Sequence, residues 1–216
     1  MSLIKSVRPS MIQLPSPTGT GFGEEWSIKL QSGLTYHMVE LETNLVNVET
    51  IKKITIDIGG VPVVSVTNKM LDVLDKAYKR YRKTGRFILP LSKFDYRTPE
   101  GIYQTQLVTT LKDDVTLKIE FGEKGTNDPN VPTLSAKAYV SNTDRLGRVF
   151  KPTRYELVQH AAAAGDHEWT MPNTGLNRFI QRMVFEESEV KINKIKVKRG
   201  SRVIETLTRE DIEYGL

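Results

Sequence analysis

One stretch of this sequence occurs twice, and this repeat is the feature that most limits how the chain can fold. Residues 25–28 (EWSI) return as residues 168–171 (EWTM), and residues 51–59 return as residues 192–200. The spacing between the copies falls only from 143 residues at the first block to 141 at the second, as small deletions in loops would produce. Self-similarity of this kind indicates a fold that uses one structural unit more than once.

The two copies also agree at residues that have particular structural roles. Trp26 and Trp169, the two tryptophans of the chain, fall on equivalent positions. Gly59 and Gly200 each follow an alternating segment, where a tight turn needs the conformational freedom of glycine. Any two β-rich segments share some alternation, but ordered matches over several blocks favour a true duplication.

The hydrophobic pattern around these blocks predicts β-strands. Apolar residues alternate with polar ones in segments of four to eight residues, as in strands with one buried and one solvated face. These segments are Trp26–Leu30, His37–Leu41, Ile54–Ile58, Val115–Phe121 and Leu134–Val140. Several such strands, separated by turn residues, predict a mostly β protein with a sandwich or barrel architecture.

One helix interrupts the strands. Thr67 or Asn68 is its predicted N-cap, and Gly85 marks its predicted end. An apolar stripe at helical spacing identifies it, formed by Met70, Leu71, Leu74, Ala77, Tyr78 and Tyr81. Residues 99–111 are predicted as a second, short helix.

The last turns of the first helix are basic and contain Lys79, Arg80, Arg82 and Lys83. Such residues suit the negative end of the helix dipole. The cluster is also a candidate surface for contact with nucleic acid or lipid phosphate. We favour the simpler interpretation, because basic C-terminal turns are common in helices that have no such partner.

These patterns divide the chain into four segments. Residues 1–24, rich in proline and glycine and without periodicity, are predicted to form an N-terminal arm, and residues 25–142 the first β-rich unit. Residues 143–167 are predicted as a linker, and residues 168–216 as the start of a second, shortened unit. We therefore expect a longer natural protein, or else a partner that covers the open apolar face.

Composition agrees with a folded protein and excludes several classes of site. The 216 residues are 38% hydrophobic and 26% charged, and they include no cysteine, which excludes disulfides, thiolate zinc sites and cysteine nucleophiles. The first residues lack the apolar region of a secretory signal, so we expect a chain made and assembled inside a cell. The net charge of +5 fits a nucleic-acid or anionic-membrane neighbour, or simply a solvated surface rich in lysine.

Residue patterns typical of catalysis are missing from the sequence. It contains no Gly-x-Ser-x-Gly, His-Glu-x-x-His or P-loop motif, and we predict no enzymatic activity and no cofactor. His37 lies on an alternating segment, which favours a structural role.

Two groups of residues are candidates for metal ions. A divalent-metal site is less favoured than a plain alanine-rich linker around His160, Asp166, His167 and Glu168. Oxygen ligands for a structural calcium ion occur at Asp113–Asp114 and at Asn127–Asp128, although acidic turns explain these residues without an ion.

The order of motifs resembles the first roll of the double jelly-roll major capsid proteins of tailless icosahedral viruses. A strand ending in IDIGG (56–60) is followed by the short strand VPVVSV (61–66), an amphipathic helix, FILPLSKF (87–94) and LKIEF (117–121). The segments WSIKLQSGLTY (26–36) and TLSAKA (133–138) are similar to the coat protein of corticoviruses, which are bacteriophages with an internal membrane.

This resemblance implies a tandem jelly-roll β-sandwich with one amphipathic helix per roll, the second roll being incomplete. It implies a structural coat protein of the virion, assembled in the host cytoplasm, whose homotrimers form pseudo-hexameric capsomers. The implied partners are neighbouring capsomers, other capsid proteins at the vertices, and an internal viral membrane or the genome on a basic inner face. The arm at 1–24 would either clamp neighbouring subunits or be a disordered terminus.

A second interpretation is a carbohydrate- or receptor-binding β-sandwich module of a viral spike or tail. Jelly rolls serve both roles, so the fold alone does not distinguish them. A binding module predicts an exposed aromatic cluster on one sheet, whereas a coat protein gives the duplicated unit a purpose in hexagonal packing.

Overall fold

The computed structural model describes residues 9–77, 83–92, 106–142, 163–171, 183–185, 187 and 191–214. The chain divides into two compact units, Met1–Glu156 and Leu157–Leu216. The boundary between them lies inside the predicted linker at 143–167, most of which is outside the described residues.

The described part of the first unit contains nine strands, a short 3-10 helix at Val48–Thr50 and one α-helix, α1 (Asn68–Ala77). The strands are β1 (Ser10–Gln13), β2 (Glu25–Leu30), β3 (Thr35–Thr43), β4 (Ile51–Ile58), β5 (Val61–Thr67), β6 (Arg86–Pro90), β7 (Leu107–Val108), β8 (Val115–Phe121) and β9 (Leu134–Ser141).

These strands form two antiparallel sheets. Sheet A has the order β1-β9-β3-β6, with the two-residue strand β7 also pairing with β3, and sheet B has the order β2-β8-β4-β5. The pairs β1–β9, β2–β8, β3–β6 and β4–β5 thus alternate between the two sheets, as when one long antiparallel ribbon is wound into a roll. The predicted jelly-roll sandwich is confirmed for this unit.

The alternating segments build the core because every second side chain points between the sheets. In β8, Val115, Leu117, Ile119 and Phe121 are buried, whereas Thr116, Lys118 and Glu120 face outward. Strands β2 and β9 follow the same rule, and β4 follows it at Ile54 and Ile56; these inward side chains join one continuous core cluster. Period-2 alternation therefore determines both where these strands form and which face each one buries.

The structure differs from the predicted arm at residues 1–24. Ser10–Gln13 form strand β1 at the edge of sheet A, where Ser10 opposes Val140 and Gln13 opposes Lys137. Further along, the backbone amide of Thr18 donates a hydrogen bond of 2.8 Å to the carbonyl of Ser27. The segment from residue 10 is therefore part of the sandwich, and residues 1–8 are outside the described residues.

Trp26 joins sheet B to the segment that precedes it. Its ring is only 3% exposed and stacks on Phe121, with 4.6 Å between the ring centroids. The indole Nε1 donates a hydrogen bond of 2.9 Å to the carbonyl oxygen of Gly21. Both the apolar body and the polar tip of this side chain are thus satisfied in the interior.

The described part of the second unit contains a two-stranded sheet and a short helix. Strand β10 (Lys194–Arg199) pairs antiparallel with β11 (Arg202–Thr208), and helix α2 (Arg209–Tyr214) follows directly. The β4–β5 hairpin and α1 have the same order in the first unit.

The two hairpins also have the same register. Every opposed pair in β10–β11 lies 141 residues after a pair in β4–β5, from Lys53–Thr67 and Lys194–Thr208 to the turns. Both hairpins contain one bulge, and it falls at the same step, after Ile56 in the first and after Val197 in the second. Gly59 and Gly200 begin the turns with φ angles of 60° and 61°, a conformation that favours glycine.

The helices that follow begin with the same cap. The Thr67 hydroxyl accepts a hydrogen bond of 3.3 Å from the backbone amide of Met70, and the Thr208 hydroxyl accepts one of 3.3 Å from that of Asp211. Thr67 is thus one of the two predicted N-caps. The predicted apolar stripe beyond Ala77 lies outside the described residues.

The prediction of a short helix over residues 99–111 is wrong where the structure describes it. Leu107 and Val108 form strand β7, whose residues oppose Tyr36 and Thr35 of β3. Both residues are buried, so their apolar character reflects burial within the sandwich as part of sheet A rather than a helical stripe. Residues 99–105 are outside the described part of the chain.

The paired tryptophans have different surroundings, which leads to a stability prediction. Trp169 is 41% exposed, whereas Trp26 is buried. Trp26→Ala should lower the free energy of unfolding by about 3–5 kcal/mol, because it leaves a cavity beside Phe121. Trp169→Ala, the matched control, should change it by less than about 1 kcal/mol. Chemical denaturation followed by circular dichroism measures both values, and equal losses would contradict this account of the core.

Candidate assembly surfaces

One end of the first jelly roll is held rigid by a buried carboxylate. Asp128, in the loop between β8 and β9, is 5% exposed. Its Oδ1 accepts hydrogen bonds of 2.8 Å from the backbone amides of Val46 and Asn47, in the loop between β3 and β4. Its Oδ2 accepts from the amide of Gly125, at 3.1 Å, and from the Thr50 hydroxyl. One side chain therefore joins two loops.

These contacts decide the protonation state of Asp128. Burial alone would raise the pKa of its carboxyl group, because it disfavours the charged form. The hydrogen bonds from Asn47, Thr50, Val46 and Gly125 stabilise the carboxylate and bring the net pKa below the ordinary value of 3.8. Asp128 is therefore ionised at neutral pH.

Asn44 makes a second connection between the same two loops. Its side-chain Nδ2 donates a hydrogen bond of 2.9 Å to the carbonyl of Val131, and its Oδ1 accepts one of 2.8 Å from the amide of Thr133. Val131, whose carbonyl accepts from Asn44, is 67% exposed, and Val46, whose amide donates to Asp128, is 53% exposed. This loop end therefore presents apolar groups on an ordered backbone.

A second surface lies on the outer face of sheet A. Met11, Tyr139, Met38 and Pro90 oppose one another in turn across the four strands β1, β9, β3 and β6. We call these four residues the apolar row. Met11 is 55% exposed, Met38 and Tyr139 are half-buried, and Pro90 is buried.

Charged residues lie beside the apolar row on the same face. Lys137 pairs with Glu42 at 3.4 Å, and Arg86 pairs with the buried Glu40. An apolar strip next to paired charges has the composition of a protein–protein interface, in which an apolar centre is surrounded by polar groups. This face is therefore suited to contact with another protein surface.

His37 is buried at the end of this sheet. Its Nδ1 lies 3.1 Å from the Ser92 hydroxyl and its Nε2 lies 2.7 Å from that of Ser141. The backbone amides of Leu91 and Ser92 also donate to the His37 carbonyl. These bonds join β3 to the segment after β6 and to the end of β9. His37 therefore holds neighbouring segments of the sheet together.

Comparison with known proteins identifies this fold. Residues 11–141 match the family described as the viral coat protein P2 N-terminal domain, which is more than half of the chain. The chain belongs to this viral coat protein family. The matched range begins at Met11 in β1 and ends at Ser141, the last residue of β9, so it coincides with the jelly roll of the first unit.

A solved structure of a viral capsid protein has the same fold as this chain. The major capsid protein P2 of bacteriophage PM2 is 22% identical, with a TM-score of 0.54 over 62% of this chain and 51% of the capsid protein. The capsid of the virus PBCV-1 is also similar, with 16% identity and a TM-score of 0.45 over 66% of this chain and 44% of the other. The coat protein chain thus spans about half the length of the PM2 protein. Among curated proteins, none matches it significantly.

Most of the predicted metal-binding carboxylates in this coat protein have local partners. Asp113 accepts a hydrogen bond of 2.7 Å from the amide of Thr110, and Asp114 pairs with Lys29. Glu168 pairs with Lys198 at 3.0 Å. The His167 ring lies 2.8 Å from the carbonyl of Ala163. The calcium and divalent-metal sites stay predictions, and His160 is outside the described residues.

Most of the predicted basic surface at the end of α1 lies outside the described residues. Lys83 is exposed, and Lys79, Arg80 and Arg82 are outside the described residues. In the parts of the chain that the structure describes, no helix is long and apolar enough to cross a membrane, and no group of three metal-ligating side chains occurs.

Sequence analysis did not identify Asn44 and Asp128 as the residues that connect the loops. The available signal was weak: both are residues of the type that binds backbone groups in turns, and Asp128 follows Gly125 and Asn127. Which loop each side chain reaches depends on the winding of the sheets, because the donors to Asp128 include amides about 80 residues away.

Removing the charge of Asp128 should loosen this end of the coat protein. Asp128→Asn should lower the free energy of unfolding near neutral pH by about 2 kcal/mol, since an amide cannot accept from four donors. The folded-state pKa lies below the ordinary value, so the carboxylate contributes fully above pH 3.8. Its contribution is lost as the pH falls through the lower folded pKa.

Denaturation of the wild type and the variant near pH 7 and near pH 3 measures this effect. The gap between them should narrow in acid. Asp166→Asn, at an exposed position, is the matched control and should change stability by less than about 0.5 kcal/mol. A gap that is constant with pH would show that the charge of Asp128 is unimportant.

Proposed function

We propose that this protein is a major coat subunit of an icosahedral virion and that three copies form a capsomer with six similar lobes. The observation that carries this proposal is the second hairpin and helix, which share register, bulge, turn and cap with the first. A subunit with two similar units makes a threefold ring approximate sixfold symmetry. Such a ring is a closed assembly that can tile a hexagonal lattice.

The surfaces of the first unit support assembly through protein contacts. A stable interface buries about 800 Å² on each partner, with an apolar centre and a polar rim. The apolar row of sheet A and its neighbouring ion pairs match that pattern, so we assign this face to contact with a neighbouring copy of the chain. The rigid loop end, with Val46 and Val131, offers a second contact.

The same proposal covers location and partners. The protein would act in the capsid of the virion after assembly in the host cytoplasm, beside other capsid proteins at the vertices. An internal membrane or the genome would lie against its basic surface. Its role would be structural, with no catalytic step and no cofactor.

A carbohydrate-binding module is less well supported. Sugar-binding faces usually present exposed aromatic rings, which contribute large contact areas. Of the aromatic side chains on the described strands, Trp26, Tyr36, Phe87 and Phe121 are buried, and only Tyr139 is partly accessible. The described sheets therefore offer no aromatic cluster for a glycan.

The purified chain should be a trimer. Light scattering coupled to size-exclusion chromatography gives its mass, and negative-stain electron microscopy gives its outline. We expect three times the chain mass of 24.5 kDa and particles with six lobes. A stable monomer that binds glycans on an array would contradict the coat function and support the binding module.

A charge in the apolar row should weaken the trimer. Met11→Glu places a carboxylate at an exposed position of the row, where burial against another subunit would be unfavourable. Val61→Glu is the matched control, because Val61 is 63% exposed on sheet B, outside the row. We expect dissociation only for Met11→Glu in the same mass measurement. Intact trimers of both variants would show that this face is not the interface.

A further inference from the structure

The hairpin of the second unit carries a concentrated positive charge that the proposed capsomer does not explain. Residues 191–202 (KINKIKVKRGSR) contain six lysines and arginines and no acidic residue. They include strand β10, the turn and the first residue of β11. We call residues 191–202 the basic hairpin segment.

The first unit shows that the hairpin itself does not require this charge. The equivalent residues 50–61 have the same register and bulge, but they contain only two lysines and one aspartate. At the bulge, Asp57 in the first hairpin is replaced by Lys198 in the second. Beside the turn, Ile58 and Val61 are replaced by Arg199 and Arg202. One scaffold therefore carries a nearly neutral surface in one unit and a strongly basic surface in the other.

The lysines of β10 share one face of the hairpin. Lys194 and Lys196 oppose Thr208 and Thr206, so they lie on the face opposite Ile195 and Leu207. Alternate residues in a strand are about 6.6 Å apart, which spaces the ammonium groups in a regular row. Lys194 and Lys196 are thus two successive cations of one row.

Apolar side chains lie at the turn end of this row. The bulge leaves two residues of β11, Val203 and Ile204, beside Lys198. Val203 is 47% exposed and Ile204 is 59% exposed. The turn end of the hairpin therefore combines cations with accessible aliphatic groups.

Among the described residues of the second unit, few acidic groups neutralise this positive charge. Lys198 pairs with Glu168 at 3.0 Å. Among the residues that the structure describes, Lys194, Lys196, Arg199 and Arg202 form no ion pair. Glu205 opposes Val197 and so lies on the face opposite Lys194 and Lys196, the face that Arg199 and Arg202 share. Uncompensated cations in such a row attract a polyanionic surface.

We propose that the basic hairpin segment, with Val203 and Ile204, binds the surface of a lipid bilayer that contains anionic headgroups. Lysine and arginine are attracted to anionic lipids, and aliphatic side chains among them enter the boundary between headgroups and acyl chains. Nucleic acid is the other polyanion to consider. Proteins that bind single strands supply aromatic rings for base stacking, and β10 and β11 contain no aromatic residue. Duplexes are bound through their phosphates, a contact that gives the exposed Val203 and Ile204 no role. This lipid contact rests on the proposed virion role, in which a membrane or the genome lies against a basic surface. It does not depend on the trimer, so either proposal can fail without the other.

Vesicle flotation with the full chain tests the proposal. One set of vesicles is phosphatidylcholine alone, and the other is phosphatidylcholine mixed with phosphatidylglycerol. The wild type should float only with the anionic vesicles. Binding should fall steeply as salt rises from about 0.1 M to about 1 M, because the Debye length shortens from about 10 Å to about 3 Å.

Variants identify the hairpin as the contact. The triple change Lys196→Gln, Arg199→Gln and Arg202→Gln should weaken binding on the order of 100-fold. A triple change with the same loss of charge at exposed lysines of the first unit, Lys52→Gln, Lys76→Gln and Lys112→Gln, is the matched control and should keep most of the binding. Ile204→Ser should reduce the binding that remains at high salt. Circular dichroism checks that each variant is folded.

Three outcomes would overturn the proposal. The first is equal binding to neutral and anionic vesicles, and the second is an equal loss in the two triple variants. The third is salt-dependent binding of a single-stranded or duplex oligonucleotide without vesicle binding, which would assign the hairpin to nucleic acid. A monomeric wild type that still binds anionic vesicles through the hairpin would support this inference while contradicting the proposed capsomer.

Discussion

The first jelly roll depends on the pairing of β8 and β9 with strands from the beginning of the unit. β9 lies between β1 and β3 in sheet A, and β8 lies between β2 and β4 in sheet B. Neither sheet is continuous without its late strand, so the core closes only when distant parts of the chain meet. Closing such long loops costs chain entropy before the contacts are made. Asp128 and Asn44 hold the β8–β9 loop against an earlier one and so stabilise this closed arrangement.

Local sequence is sufficient to specify the hairpin that occurs in both units. Gly59 and Gly200 take up the same backbone conformation, and the same threonine begins each helix. Burial is not local. Ile54 and Ile56 are fully buried under a second sheet, whereas their equivalents Ile195 and Val197 are only half-buried. Turn and cap chemistry thus sets the hairpin, and the rest of the sandwich sets how deeply it is buried.

Much of the fold could be predicted from the sequence because period-2 alternation is strong in the central strands. The alternating segments at Trp26–Leu30, Ile54–Ile58 and Val115–Phe121 all lie within observed strands. Strand β1 could not be predicted in this way, since Ser10–Gln13 has no alternation of its own and is a strand because β9 offers it hydrogen bonds. The strand at Leu107–Val108 and the role of Asp128 could not be predicted for the same reason, because both depend on partners that are distant along the chain.

The two hairpins have similar residues at the positions that the fold requires to be apolar and different residues at positions on the outer face. The inward positions keep apolar residues, such as Ile54 and Ile195. The outward positions differ in sign of charge, most clearly at Asp57 and Lys198. In the first unit Asp57 is buried and pairs with Lys118 of β8 at 2.8 Å. Its charge is therefore neutralised within sheet B. In the second unit Lys198 pairs with the exposed Glu168, and the cations around it face outward. The same position therefore serves internal sheet stability in one unit and surface electrostatics in the other.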